Sequence, residues 1–497
     1  MTRFAAVWIV LSSLSMTFIL AICFVLASAA SAVCAEQVST EKPNIVLFIS
    51  DDHGACDSGC YGNPDVRTPH LDKLAAEGMR CNCVFAADTL CSPSRAVLHT
   101  GLMPFRNGGH VFGGNVRKGV KTFSHYLRPL GYETALIGKA SLHPAGAFPY
   151  DVKREKWKPG AAESEAIPAM VDEFLSARDE SKPLYLEVGT GNPHMPWIEN
   201  DAYEPAKLEL PQHYLDTPET RDALADYYTS VTTLDNTLGQ VREILQKHGY
   251  GRDTLFLYTS DHGSNFPLAK WCLYDAGIRV PFLVRWPGRV QAGSVSDAMV
   301  SLADVLPTIV EAAGGDPPGE LDGRSFLSVL LGSTQTHRDY VFASHTGMGR
   351  GYPQWKANWS PHRAVRTRTH KYILNLNPNE RFITHLSRCG PDRQPQATHP
   401  FWKSWEKEAE KDEGAKRIVN RYYFRPVEEL YDLRSDPHEQ HNIAGDPGNA
   451  ELLISLRGRL GEWRKTQNDH VPVYLTKEYV APSRSDPISV ANEENTP

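Results

Sequence analysis

The chain has 497 residues, 41% of them apolar and 22% charged, and its 52 basic residues against 59 acidic ones leave a net charge of −7. Gly at 37 and Pro at 35 exclude a collagen-like or low-complexity chain, and the apolar fraction excludes intrinsic disorder. No long Lys/Arg run displaces counterions, so no nucleic-acid partner is expected, and at roughly 100–200 residues per domain two domains are.

Arg3 is the one charge before Glu36, and the apolar stretch between them ends in the small residues Ala27 to Ala35. Residues 1–35 therefore read as a secretory signal, with Ala30-Ser31-Ala32 and Val33-Cys34-Ala35 as cleavage sites. An uncleaved anchor, long enough to span a bilayer, is the alternative, and Cys34 is a weaker candidate for lipid attachment. Either way the rest of the chain faces an exported compartment: secreted or periplasmic, or lysosomal in a eukaryote. Once the leader is cleaved, no stable membrane insertion is expected.

Beyond the leader, short apolar runs alternate with amphipathic segments, the pattern of a parallel sheet with helices on both faces. Strands are expected at Asn44–Ser50, Thr134–Ile137, Leu184–Val188 and Thr254–Thr259. One helix face is marked by Leu71, Leu74, Ala75 and Met79, and a longer one by Leu224, Tyr228, Val231, Leu234, Leu238, Val241 and Leu245 before Gly249. A third helix covers Ala303 to Ala313. Near Gly347 the composition shifts, and strand-like Ala364–Thr369 and Tyr372–Leu376 follow, with a helical pattern at Leu452, Leu453, Leu456 and Leu460. The expected organisation is a catalytic unit at 36–355, a smaller α+β unit at 356–480 and a disordered tail at 481–497.

Each strand hands its end to polar residues. Asp51 and Asp52 follow the first, Lys139 and His143 the second, His194 the third, Asp261 and His262 the fourth. All would stand at the carboxyl edge of one sheet, where open α/β folds bind ligands. A single acidic pair is more often a turn or a cap; two pairs converging there suit a hard cation such as Ca²⁺ or Mg²⁺.

The sharpest segment is Cys91-Ser92-Pro93-Ser94-Arg95-Ala96-Val97-Leu98-His99-Thr100-Gly101. Ser92 as N-cap, Pro93 at the first helical position and Gly101 as terminator place Cys91 at a helix N-terminus. Free N–H groups there, with Arg95 one turn on, favour a tetrahedral oxyanion. A bare cysteine beside a capped helix has a purely structural reading too.

This segment resembles the signature of the formylglycine-dependent sulfatases, members of the alkaline-phosphatase-like superfamily, in which the cysteine is oxidised to an aldehyde. Asn44 to Asp52, Thr68-Pro69-His70-Leu71-Asp72 and Ser260-Asp261-His262-Gly263 resemble other family segments. The run from Asp261 through Lys270 to Tyr274, together with His370 to Asn377 and Glu429-Leu430-Tyr431-Asp432, is most similar to the heparan N-sulfatase subfamily, the N-sulfoglucosamine sulfohydrolases. The resemblance implies a large, mostly parallel sheet between helices with a smaller C-terminal α+β domain. It implies one divalent cation, expected to be Ca²⁺, held by Asp51, Asp52, Asp261, His262 and the modified Cys91. It also implies that the hydrated aldehyde attacks sulfur while Arg95, Lys139 and Lys270 stabilise the charge that develops, and that His194 protonates the leaving atom. The implied partners are a sulfated saccharide and a formylglycine-generating or anaerobic sulfatase-maturating enzyme.

Two positions depart from the family pattern. Ser141 stands where a histidine is usual, so either His143 reaches the same spot or the elimination base is missing. His262 stands where asparagine is commoner, so either the metal differs or the imidazole only hydrogen-bonds nearby. Cys56, Cys60, Cys81 and Cys83 lack a matching pair at zinc-finger spacing and read as disulfide-forming or buried thiols. Asn358-Trp359-Ser360 matches a glycosylation acceptor, and Tyr422-Tyr423-Phe424 reads as core packing rather than a sugar cleft. The favoured function is a secreted sulfatase acting on N-sulfoglucosamine of heparan-type saccharides. Alternatives are an O-sulfatase on another carbohydrate, a phosphoester or phosphonate hydrolase of the same superfamily, and a glycan-binding protein without turnover.

Overall fold

The computed structural model describes residues 42–155, 158–347, 360–389, 395–397 and 399–473. The expected leader, the 355/356 boundary, most of the glycosylation motif and the tail lie outside them.

In chain order the elements used below are β1 (Asn44–Ser50), α1 (Pro69–Glu77), β2 (Met79–Cys81), α2 (Cys91–Thr100), β3 (Glu133–Gly138), β4 (Val152–Arg154), α3 (Glu163–Ala177), β5 (Leu184–Gly189), α4 (Pro218–Lys247), β6 (Thr254–Ser260), β7 (Phe282–Arg285), β8 (Ser294–Ser296) and α5 (Val305–Ala312). After these come β9 (Val341–His345), β10 (His362–Arg366), β11 (His370–Asn375), α6 (Pro400–Ala409), α7 (Glu413–Tyr423), β12 (Glu428–Asp432) and α8 (Ala450–Thr466). The large sheet has eight strands in the order β4-β3-β5-β1-β6-β7-β2-β8. Its first five strands are mutually parallel, and β7 is antiparallel to both of its neighbours. A second sheet, β9-β10-β11-β12, is antiparallel throughout and takes its first strand from residues ahead of 356.

Alternation along β1 explains the layers. Ile45, Leu47 and Ile49 pack with Leu98 of α2 and Leu306 and Ile309 of α5, whereas Val46 and Phe48 pack with Leu71 of α1, Val171 of α3 and Leu234 and Leu238 of α4. A strand buried on both sides needs apolar residues at every position, which is why β1 reads as a continuous apolar run. Met79 leaves the helix face expected of it, because α1 stops at Glu77, Gly78 caps it and Met79 itself starts β2.

The helix carrying the cysteine also starts earlier than expected. Leu90, in extended conformation, is its N-cap and Cys91 its first residue. Ser92 lies inside the first turn, and its Oγ accepts from the Gly113 N–H at 2.6 Å instead of capping. Gly101 ends the helix at φ 63°, as expected.

The second sheet packs against the loop that follows β6. Leu90, Trp271 and Tyr274 share one buried cluster with Ile373, Trp402, Tyr422 and Tyr431, so Tyr422 and Tyr423 are core residues, while Phe424 is half exposed. Lys371 on β11 is fully buried and pairs with Asp275 at 2.5 Å and Glu439 at 2.9 Å. Cys56, Cys60, Cys81 and Cys83 are free thiols. Among the described residues no helix is long and apolar enough to cross a membrane.

Candidate active site

The carboxyl ends of β3, β5, β1 and β6, adjacent in that order, deliver the site. Gly138 and Gly189 end β3 and β5 where the backbones nearly touch: a Cβ on Gly138 would meet the Gly189 carbonyl oxygen at 2.0 Å, and one on Gly189 the Lys139 oxygen at 1.9 Å. Only glycine permits that approach, and it sets the exit of Lys139.

Asp51, Asp52, Asp261 and His262 are all buried around Cys91. Ligand atoms of Asp51, Asp52, Cys91 and His194 lie within 4.8 Å of one another, as do those of Asp51, Cys91, Asp261 and His262. Arg95, fully buried, donates from Nε to Asp261 Oδ2 at 2.9 Å and from its terminal nitrogens to the carbonyls of Ser50 and Lys139. Ser94 Oγ donates to the Asp261 carbonyl at 2.5 Å, so one helical turn is tied to the end of β6 twice. Lys270 Nζ bridges both oxygens of Asp52 at 2.7 Å. Lys139 Nζ touches Asp51 Oδ2 and stands 3.9 Å from the Cys91 sulfur.

Burial dominates the electrostatics. It pushes the Cys91 thiol up to about 12, so the unmodified side chain is a protonated thiol and a poor nucleophile. Burial also pulls the Lys139 ammonium down to about 7 and raises Asp52 despite its bridge to Lys270. At Asp261 burial opposes ionisation but is outweighed by His262, Arg95 and Lys139, which hold the carboxyl well below its usual range. Burial, reinforced by the charges of Lys270 and Lys139, holds the His194 imidazole well below its ordinary value.

The donor set fits a divalent cation. Among the described residues Asp51 Oδ1 is buried and accepts no hydrogen bond, Asp51 Oδ2 meets only the Lys139 ammonium, and His262 Nε2 has no hydrogen-bond partner. His262 Nδ1 lies 3.0 Å from the Gly263 carbonyl, which places the proton there and the lone pair on Nε2, 3.4 Å from Asp52 and 3.8 Å from Asp261. The geometry thus aims the imidazole into the carboxylates instead of turning it away. The His143 carbonyl accepts from the Val116 N–H, and the residue is partly exposed and does not line the cavity over Cys91. Ser141, at φ 53°, carries the turn between Lys139 and His143.

That cavity, of about 390 Å³, is lined by Cys91, His194 and Lys270 together with Trp271, His385 and His399. Glu163, at the start of α3, was not singled out from sequence; its carboxylate accepts from the N–H groups of Gly191 and Asn192 and from Thr190 Oγ1, fixing the loop that carries His194. Nor were Asn265, Trp271, His385 and His399, for which the sequence offers no motif.

A model of the sulfatase family matches residues 43–315, more than half of the chain. The chain belongs to the sulfatase family. This sulfatase is accordingly a hydrolase of sulfate esters or sulfamates, and a second model, the C-terminal region of N-sulphoglucosamine sulphohydrolase, matches residues 264–386. It is 30% identical over 437 residues to an ulvan-active sulfatase of Formosa agariphila, covering 86% of this chain and 81% of the relative. It is also 30% identical over 476 residues to human N-sulphoglucosamine sulphohydrolase, covering 86% of this chain and 91% of that protein. Among solved structures, one in complex with its substrate D-glucosamine-2-N,6-O-disulfate superposes with a TM-score of 0.66 at 21% identity, covering 88% of this chain and all of that one. At that identity the likeness shows the fold: a mostly parallel sheet between helices with a C-terminal antiparallel sheet.

Proposed function

We propose that this sulfatase is exported and removes the sulfo group from N-sulfoglucosamine residues of heparan-type saccharides. The observation that supports it best is the match of residues 264–386, which carry Lys270 and Trp271 of the cavity, to the N-sulphoglucosamine sulphohydrolase C-terminal region. The apolar leader supports export.

Asp51, Asp52 and Asp261 would hold the cation, read as Ca²⁺, with His262 beside them, and Cys91 is the position that a maturating enzyme would convert to formylglycine. When present, the aldehyde, hydrated by one water, would supply a hydroxyl nucleophile for sulfur, and the cation would supply charge for the sulfate oxygens. The chain's own residues do the rest. Lys270 and Lys139 flank Cys91 and stabilise negative charge on the transferring group, and Arg95 acts from behind by holding Asp261 ionised and in place. His194 lines the cavity with Nδ1 against the Met195 carbonyl, so Nε2 is the atom that exchanges a proton with the leaving nitrogen. The arriving sulfo group brings negative charge that raises the depressed His194 pKa when a proton is required.

The test is sulfate release from N-sulfoglucosamine, 6-O-sulfated glucosamine and sulfated galactose by the mature protein. The N-sulfated sugar should give the highest kcat/KM, and absence of turnover on it would overturn the reading. The ulvan-active relative favours a second reading, an O-sulfatase on another carbohydrate, which turnover of O-sulfated sugars alone would establish.

A further inference from the structure

Two residues that line the cavity over Cys91 each bury a polar atom that is without a partner among the described residues. Asn265 is 3% exposed and Trp271 4%, both line the cavity, and neither Asn265 Oδ1 nor Trp271 Nε1 has a hydrogen-bond partner. One is an acceptor and the other a donor. Burying such groups unpaired is costly, so their placement beside the reacting end calls for a function.

The loop holds them rigidly. Lys270 N–H closes it onto the Ser264 carbonyl at 3.0 Å, so Asn265 and Trp271 flank its two ends with Lys270 between. Phe266 pins the far side, stacked on Trp197 at 4.8 Å and Tyr214 at 5.1 Å. Leu268 and Trp271 are held in the left-handed region at φ 65° and 72°, a conformation that side-chain-bearing residues adopt at a cost. The indole is fixed between the rings of His345 and His385, each 5.7 Å away.

We propose that Asn265 Oδ1 and Trp271 Nε1 are an acceptor–donor pair that reads the polar substituents of the sugar bearing the sulfo group. This rests on the reading of the substrate as a sulfated sugar. Trp271 donates to a sugar oxygen, and Asn265 accepts from a donor on the sugar, either the sulfamate N–H or a ring hydroxyl. An aglycone without such groups leaves both atoms unpaired, which makes the pair a source of selectivity.

The test compares wild type with Asn265→Leu, which keeps the shape and removes the acceptor, and Trp271→Phe, which keeps a ring and removes the donor. For each, kcat/KM is measured on every sulfated sugar the wild type cleaves, together with the Ki of inorganic sulfate, which engages only the Cys91 and Lys270 end. Each variant should lose about 10-fold to 100-fold in kcat/KM while the sulfate Ki stays within about twofold. Loss confined to the N-sulfated sugar assigns the Asn265 donor to the sulfamate N–H, and loss on every sulfated sugar assigns it to a hydroxyl. A sulfate Ki that moves as far as kcat/KM marks a structural role and overturns the proposal, as does unchanged kcat/KM in both variants. If the wild type cleaves only O-sulfated sugars, the N-sulfoglucosamine reading fails while the pair is still decided on those sugars.

Discussion

Cys91 is surrounded by charge yet is chemically quiet as a thiol, because burial outweighs the lysines beside it. The proposed conversion of the side chain, not deprotonation, would therefore be the step that makes it a nucleophile. Cys91→Ala should lower turnover by roughly 10³-fold or more while leaving the melting temperature near that of the wild type, checked by sulfate release and calorimetry. Three carboxylates crowd the same point, paired with Arg95, Lys139 and Lys270, and the proposed cation would relieve the repulsion that remains. Chelation should abolish turnover and lower the melting temperature, and re-addition of one equivalent of Ca²⁺ should restore both; full activity in protein shown to be metal-free by elemental analysis would contradict the site. Asp51, Asp52, Lys139, His194 and Asp261 were legible in the sequence because each follows an apolar run, and parallel strands bring such endings to one edge. Asn265 and Trp271 were not, since what aims them is a loop conformation with positive φ at two ordinary residues, which no local pattern announces.

At the scale of elements, buried acids act as fasteners. Asp304, directly ahead of α5, accepts from the Ser301 and Arg324 N–H groups at 2.9 and 2.7 Å and from Arg338 Nε at 2.7 Å. Burial opposes its ionisation, but Arg338 and His337 outweigh it and lower the pKa from 3.8 to about 2. A depressed folded-state pKa contributes stability above the unfolded value that is lost as pH falls through the folded one. Asp304→Asn should therefore cost about 2 kcal/mol at pH 7, with the gap from wild type narrowing between about pH 5 and pH 2 in denaturant titrations. The periodic elements were readable: β1, α4 and α8 fall where apolar spacing places them. The order of eight strands was not, because pairing depends on contacts between runs far apart in the chain. The start of α2 was misplaced since Ser92, a good cap by type, is claimed by Gly113.

The whole molecule joins its two sheets through the segment that bears the site. Trp271 and Tyr274 belong to a core completed by Ile373, Trp402 and Tyr431, and Lys371 reaches from β11 to Asp275 just beyond that segment. A chain ended at residue 340 would bare this apolar face and strip Asp275 of Arg366 and Lys371. Such a fragment should be recovered as insoluble protein, and a soluble, active one would show that the second sheet is dispensable. The burial of α2 carries a further consequence, for timing. All ten residues from Cys91 to Thr100 are buried, with Ser92 and Ser94 bonded into neighbouring segments. An enzyme that must grip the cysteine and its neighbours has no purchase once these contacts form. If Cys91 is converted as proposed, folding itself would set the deadline: molecules that fold first would keep an inert thiol, and specific activity would report how often the modifying enzyme wins that race.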